Sequence, residues 1–181
     1  MRSPSLPPKV SSASDPNTLA RLFAFVVAMI LIAAVLYDII INLRHNFVLN
    51  LSLSVSPGLY QRVDQPVEIG ALVLFAPSAK MLSWHTDLTG VEGIETFLKP
   101  VYRLGPFTLC RAVGALLLDG VALPASSLDA RFIEPGQCID YDGQNFFALS
   151  TRITNSFDSR HYGPIPLSSV DGVYVAVVNF D

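Results

Sequence analysis

One apolar run constrains this chain more than any other feature. Residues 19–43, LARLFAFVVAMILIAAVLYDIIINL, are broken only by Arg21, Asp38 and Asn42. As a helix these 25 residues rise about 37 Å, enough to cross a hydrocarbon core of roughly 30 Å with some tilt. A cleavable signal peptide is the competing reading. Against it, the stretch from Leu22 to Tyr37 is long for a signal-peptide core, and no A-x-A-like cleavage site follows it. The expectation is an uncleaved transmembrane anchor over 19–43. Asp38 lies in the outer quarter of the span, where a charge reaches the interface more cheaply than from the bilayer centre, so it reads as interfacial. Arg2, Lys9 and Arg21 precede most of the span and Arg44 is the nearby cation after it. The positive-inside rule then places the N-terminus in the cytoplasm and exports the C-terminal body.

The flanks of the span read differently from one another. Residues 1–18, MRSPSLPPKVSSASDPNT, carry too few apolar side chains to offset their ordering entropy and read as a disordered cytoplasmic tail. Residues 44–181 are enough for one domain. Runs of branched and aromatic residues at 67–77, 97–104, 108–120, 145–151 and 172–180 are each bounded by Gly, Pro, Asp or Asn, as strands are. Between them, Lys80, Met81, Trp84, His85 and Leu88 fit a short helix within 78–97. Strands at such short intervals imply a mainly β domain with one or two short helices, not βαβ units. Net charge is −3 and no basic patch is interleaved with aromatics, which argues against nucleic acid as a partner.

The chemistry-bearing residues begin at LSLSVSPGLYQ, residues 51–61, where serines alternate and then stop at Pro57-Gly58. Serines at alternate positions of a strand usually mark a solvated face. Ser54, at the end of such a strand and ahead of a Pro-Gly turn, could instead present its hydroxyl to a cleft. A nucleophilic serine needs a base. His161 with Asp158 is formally available. A lysine serves only if burial keeps its amine neutral, and Lys99 has the right surroundings in Phe97, Leu98 and Val101. Lys80 reads as a solvated helix residue. Cys110 and Cys138 are 28 positions apart; in an exported domain they can oxidise, and two buried free thiols are the alternative. His85, Asp87 and His161 do not have metal-site spacing, and GVEG at 90–93 is a plain turn, so neither a metal nor a cofactor is expected.

Three segments in order, SVSPGLY, FLKPV and NSFDSRHYGPIP, following an N-terminal anchor, resemble type I signal peptidases. These are serine-lysine peptidases of the membrane surface. The S-x-x-P spacing with Gly-Leu-Tyr beginning four residues after the serine is most similar to the conjugative-transfer (TraF-type) branch. The resemblance runs through the chain past residue 20, and SFDSRHYGP is its most specific part. It implies Ser54 as nucleophile, Lys99 as general base, and Ser52 as the hydroxyl that joins the Ser54 N–H in an oxyanion hole. By the same likeness Ser156 orients the lysine amine, while Asp158 and Arg160 form a charge pair holding their loop against the catalytic strand. Cys110 and Cys138 lie where this branch has its cysteine pair, which implies a disulfide.

One departure stands out. The family usually has Pro-Gly-Asp six to eight residues after the lysine, where this chain has Gly105, Pro106 and Phe107; the aspartate is absent. Val55 also replaces the usual Met or Ile. Neither position transfers a proton. The expected function is a membrane-anchored serine endopeptidase of the bacterial inner membrane, with its body in the periplasm. Its expected partners are membrane lipid, through the anchor, and a pilin-like propeptide. That peptide would pair along a strand edge within 55–60 or near 101–104, with Ala-like residues in small pockets at its −1 and −3 positions. A general housekeeping signal peptidase, and an inactive assembly factor for pilus or secretion subunits, are the alternatives.

Overall fold

The computed structural model describes residues 16–126 and 129–180. The chain divides at Arg44/His45 into a helical unit and a compact body. The helix, α1, runs Pro16–Asn46. Proline suits a helix start because its missing N–H would have no partner there. Residues 16–18, expected in the tail, therefore belong to α1, and the rest of that tail lies outside the described residues. Among the described residues, α1 is long and apolar enough to cross a membrane.

The body is mainly β. Its elements in order are β1 (Phe47–Asn50), β2 (Gly58–Val63), β3 (Leu72–Phe75), α2 (Ala79–Thr89), β4 (Phe97–Leu104), β5 (Phe107–Ala112), β6 (Ala115–Leu118), β7 (Val121–Ala122), β8 (Cys138–Tyr141), β9 (Asn145–Ala148), α3 (Ser159–Tyr162), β10 (Ile165–Pro166) and β11 (Val170–Asn179). Seven strands form one sheet in the order β1-β2-β11-β3-β4-β9-β10, and four form a second, β7-β6-β5-β8. The last strand of the chain thus enters the middle of the large sheet. β11 spans ten residues with register shifts at Val170/Gly172 and Ala176/Val178, irregularities of the kind that bend a strand.

β4 is where the fold builds the site. Its first half, Phe97–Pro100, pairs with β3, and its second half, from Val101, pairs with β9 across another register shift. Pro100 sits at this handover, a position that tolerates its missing N–H. Alternation along the strand sends Phe97 and Val101 into one apolar cluster with Val73, Phe75 and Phe157, and Leu98 into the opposite cluster with Tyr60 and Tyr174. Lys99 falls on the Phe97 side and is drawn into the interior with it.

Several expected elements are refined. The run 108–120 is a hairpin rather than one strand: Ala112 faces Ala115 across Val113-Gly114, with Gly114 at φ 74°. Within 67–77 the strand is confined to Leu72–Phe75. The helix expected in 78–97 is α2, opened by Ser78, whose side chain accepts the Met81 N–H, and closed by Gly90 at φ 69°. Ser54 is not on a strand: Leu51–Pro57 forms the turn that joins β1 to β2, and the alternating serines lie within it. The altered β4–β5 turn has a cis Gly105-Pro106 bond, and a side chain at Gly105 would strike the Asp142 carbonyl oxygen at 2.0 Å. A carboxylate still reaches this turn. It comes from Asp119, which accepts from the Thr108 N–H at 2.9 Å and from Arg103 Nε at 3.1 Å.

Cys110 and Cys138 face each other across β5 and β8 and are joined by a disulfide. The bridge joins neighbouring strands of the small sheet.

Candidate active site

Three separate elements bring Ser54, Ser156 and Lys99 together. Ser54 comes from the β1–β2 turn, Lys99 from the middle of β4, and Ser156 from the loop leading into α3. The Lys99 amine donates to Ser156 Oγ at 3.3 Å, and Ser156 Oγ lies 3.1 Å from Ser54 Oγ, to which it donates. Ser156 therefore stands between the other two, a more direct place than that of a residue merely orienting the lysine. All three are buried, Lys99 to 4% exposure. Burial pushes the lysine pKa down to about 8; Asp158 opposes the shift and Arg160 adds to it. An amine with a pKa near 8 is partly neutral at neutral pH, and so able to accept a proton.

The loop carrying Ser156 is held by Asp158 and Arg160. Asp158 is fully buried. Its carboxylate receives two hydrogen bonds from the Arg160 guanidinium, at 2.9 Å from Nε and 2.8 Å from Nη2. It also caps α3 by accepting from the Arg160 N–H and takes the Ser150 N–H at 3.1 Å. Arg160 spends its remaining donors on the Pro124 and Ala125 carbonyls, both at 3.2 Å, and on the Ser150 carbonyl. A buried ion pair with its lone pairs and protons satisfied in this way is a rigid support. Ser150 extends the support to the Ser54 turn, because its hydroxyl donates to the Ser54 carbonyl.

Ser52 is in the same turn, two residues ahead of Ser54. Its hydroxyl donates to Asn50 Oδ1 at 2.9 Å, and its N–H points to the same oxygen at 3.2 Å. A cleft of about 350 Å³ opens over the turn, lined by Ser52, Ser54, Lys99, His85, Phe97 and Phe157 among others. The strand edges expected for substrate are already occupied. β2 lies between β1 and β11, and β4 at Val101 lies between β9 and the Gly70-Ala71 backbone. Phe97–Lys99, by contrast, pairs with β3 on one side, and residues of this stretch line the cleft.

The histidine alternative is not assembled. His161 is buried against Phe157, with ring centroids 5.8 Å apart. Its Nε2 is 3.0 Å from the Ser156 carbonyl and 3.1 Å from Ser126 Oγ, and its Nδ1 is 3.3 Å from the Asp129 carbonyl. Burial lowers its pKa. The Asp158 carboxylate is committed to Arg160 and to backbone N–H groups. Lys80 is outside the site, with its ammonium 4.7 Å over the Trp84 ring.

Sequence reading missed three residues here. Asn50 and Ser150 brace the turn, and His85 projects from α2 into the cleft, edge-on to Phe157 at 5.2 Å. Burial lowers the His85 pKa, the Val91 carbonyl opposes that, and Lys99 adds to the lowering. An asparagine at a turn entrance is a readable signal, since its amide bonds to backbone two residues on. Ser150 and His85 matter only through contacts made in the folded chain, so no local pattern marks them.

Comparison with known proteins places the chain in a family. The family described as signal peptidase, peptidase S26, matches residues 18–179. A conjugal transfer protein, TraF, of Agrobacterium tumefaciens (strain 15955) is 27% identical over 136 residues, covering 67% of this chain and 76% of its own length.

Proposed function

The chain belongs to the signal peptidase family, peptidase S26, and on that premise we propose that it is a membrane-anchored serine endopeptidase using Ser54 and Lys99. The observation that carries this reading is the buried Lys99–Ser156–Ser54 hydrogen-bond chain. Ser54 Oγ attacks the peptide carbonyl as its proton passes to the Ser156 oxygen, while the Ser156 hydroxyl, turned from Ser54 toward neutral Lys99, gives its own proton to the amine. The developing oxyanion is met by the Ser54 N–H and the Ser52 hydroxyl, each such donor being worth about 10²–10³ in rate. Lysine then returns the proton to the departing amine. The acyl-enzyme formed on Ser54 is released by water, or by the substrate's own amino terminus to give a ring.

An extended peptide enters the cleft along the free side of Phe97–Lys99, pairing through its main chain. The cleft works at the surface of the bacterial inner membrane. Leu51 and Leu53, 72% and 61% exposed, lie just ahead of Ser54 and are apolar side chains suited to a membrane surface. A disulfide in the body fits an oxidising compartment, hence an exported domain and a cytoplasmic N-terminus. The likeness to a conjugal transfer protein favours a dedicated pilin-like propeptide over general preprotein processing.

Intact-mass analysis of small exported proteins from cells carrying wild-type or Ser54→Ala enzyme tests the assignment. One pilin-like species changing mass supports it, and a product one water lighter than the linear form identifies ring closure. Accumulation of many uncleaved preproteins would instead make the protein a housekeeping peptidase. No change at all would leave a binding role.

A further inference from the structure

We propose that Asn50 is a positioning residue that acts through Ser52 to set the oxyanion hole, an inference that rests on the serine-lysine reading above. Asn50 ends β1, where it pairs with Gly58 at the mouth of the turn carrying Ser54. It is 7% exposed, and a buried amide must find partners for both its ends. All of the partners found for it lie within that turn. Its Oδ1 accepts from the Ser52 N–H and the Ser52 hydroxyl, at 3.2 and 2.9 Å. Its Nδ2 faces the carbonyls of Ser52, Val55 and Ser56, each at 3.1 Å. One side chain thus organises the backbone on both sides of Ser54, and so fixes the direction of the Ser54 N–H.

The arrangement has a second consequence. A serine has a single hydroxyl proton, and that of Ser52 is directed at Asn50. In the resting enzyme the donor is parked there instead of being aimed into the cleft. When negative charge develops on the substrate oxygen, a charge-assisted hydrogen bond, about twice as strong as a neutral one, draws the hydroxyl over. Asn50 Oδ1 meanwhile keeps the Ser52 N–H. The donor therefore interacts with the transition state more than with the bound substrate, and this is the condition for an interaction to raise kcat.

The test uses full-length enzyme in detergent with acetyl-Ala-Ala p-nitrophenyl ester as the probe, comparing Asn50→Ala, Ser52→Ala, the double variant and Asn50→Asp. Asn50→Ala is expected to lower kcat about 10- to 100-fold with KM within about threefold, somewhat less than loss of a whole oxyanion donor. Because Asn50 acts on the Ser52 hydroxyl as well as on the Ser54 N–H, the loss in the double variant is expected to fall short of the product of the two single losses by at least about threefold. Asn50→Asp keeps the shape and the acceptor, but its carboxylate grips the Ser52 proton and repels the oxyanion, so kcat falls at least as far as in Asn50→Ala. Thermal melts accompany each variant, and Asn50→Asp decides the matter if Asn50→Ala does not fold. Independent, multiplicative losses in the double variant, or wild-type kcat in Asn50→Asp, would overturn this role alone. A wild-type enzyme inert toward the ester, or an undiminished Ser54→Ala, would overturn the serine-lysine reading and this role with it.

Discussion

Burial of Lys99 suits the proton acceptor proposed above and works against stability at once. Its amine titrates near 10.5 in an unfolded chain and at about 8 in the native protein. Between those values the unfolded chain binds the extra proton, so native stability rises with pH across that window. Below pH 8 the native state bears the whole cost, about 3 kcal/mol by the size of the shift. Lys99→Met, which fills the space without a charge, is therefore expected to be inactive yet more stable by about 3 kcal/mol near neutral pH. Denaturant unfolding should show that advantage shrinking to nothing as pH approaches 10.5. In the native enzyme kcat/KM should rise with pH through an apparent pKa of about 8. A limb below the usual histidine value would point to His85 or His161 instead. Lys99 was legible as a candidate because Phe97, Leu98 and Val101 surround it in sequence. Ser150 was not, because what marks it is a hydrogen bond made only in the folded chain, and Asn50, a readable turn signal in itself, was hidden because the alternating serines after it disguised the turn as a strand.

At the scale of elements, the site depends on pairing more than on propensity. β4 presents Lys99 because Pro100 and the register shift beyond it divide the strand between β3 and β9. The dense apolar runs made β4, β9 and β11 readable. The Val113-Gly114 hairpin and β8 were harder, since short strands of mixed composition gain their order from neighbours distant in the chain. The small sheet relies on its cross-link. Closing a loop of 28 residues stabilises the native state by about 3–4 kcal/mol on the chain-entropy view. Replacing both Cys110 and Cys138 with serine is expected to lower unfolding free energy by that amount while leaving ester turnover within about twofold, because the bridge does not line the cleft. A large fall in kcat with little change in stability would show that the small sheet shapes the site.

For the whole molecule, an apolar helix and a β body with a buried serine-lysine pair account for family and architecture together. The apolar helix, the mainly β class and the order of the segments that build the candidate site were legible because each is local in sequence. The entry of β11 into the middle of the sheet was not, nor were the occupied substrate edges, since both are properties of strand order. The claim on which everything else depends is that Lys99 activates Ser54 as a nucleophile. Mass mapping after treatment of full-length enzyme with an acylating active-site probe tests it most directly. The account predicts one adduct, on the peptide containing Ser54, absent from Ser54→Ala and from Lys99→Ala, both of which should melt as folded proteins. An adduct on another residue, or wild-type labelling of Lys99→Ala, would contradict it.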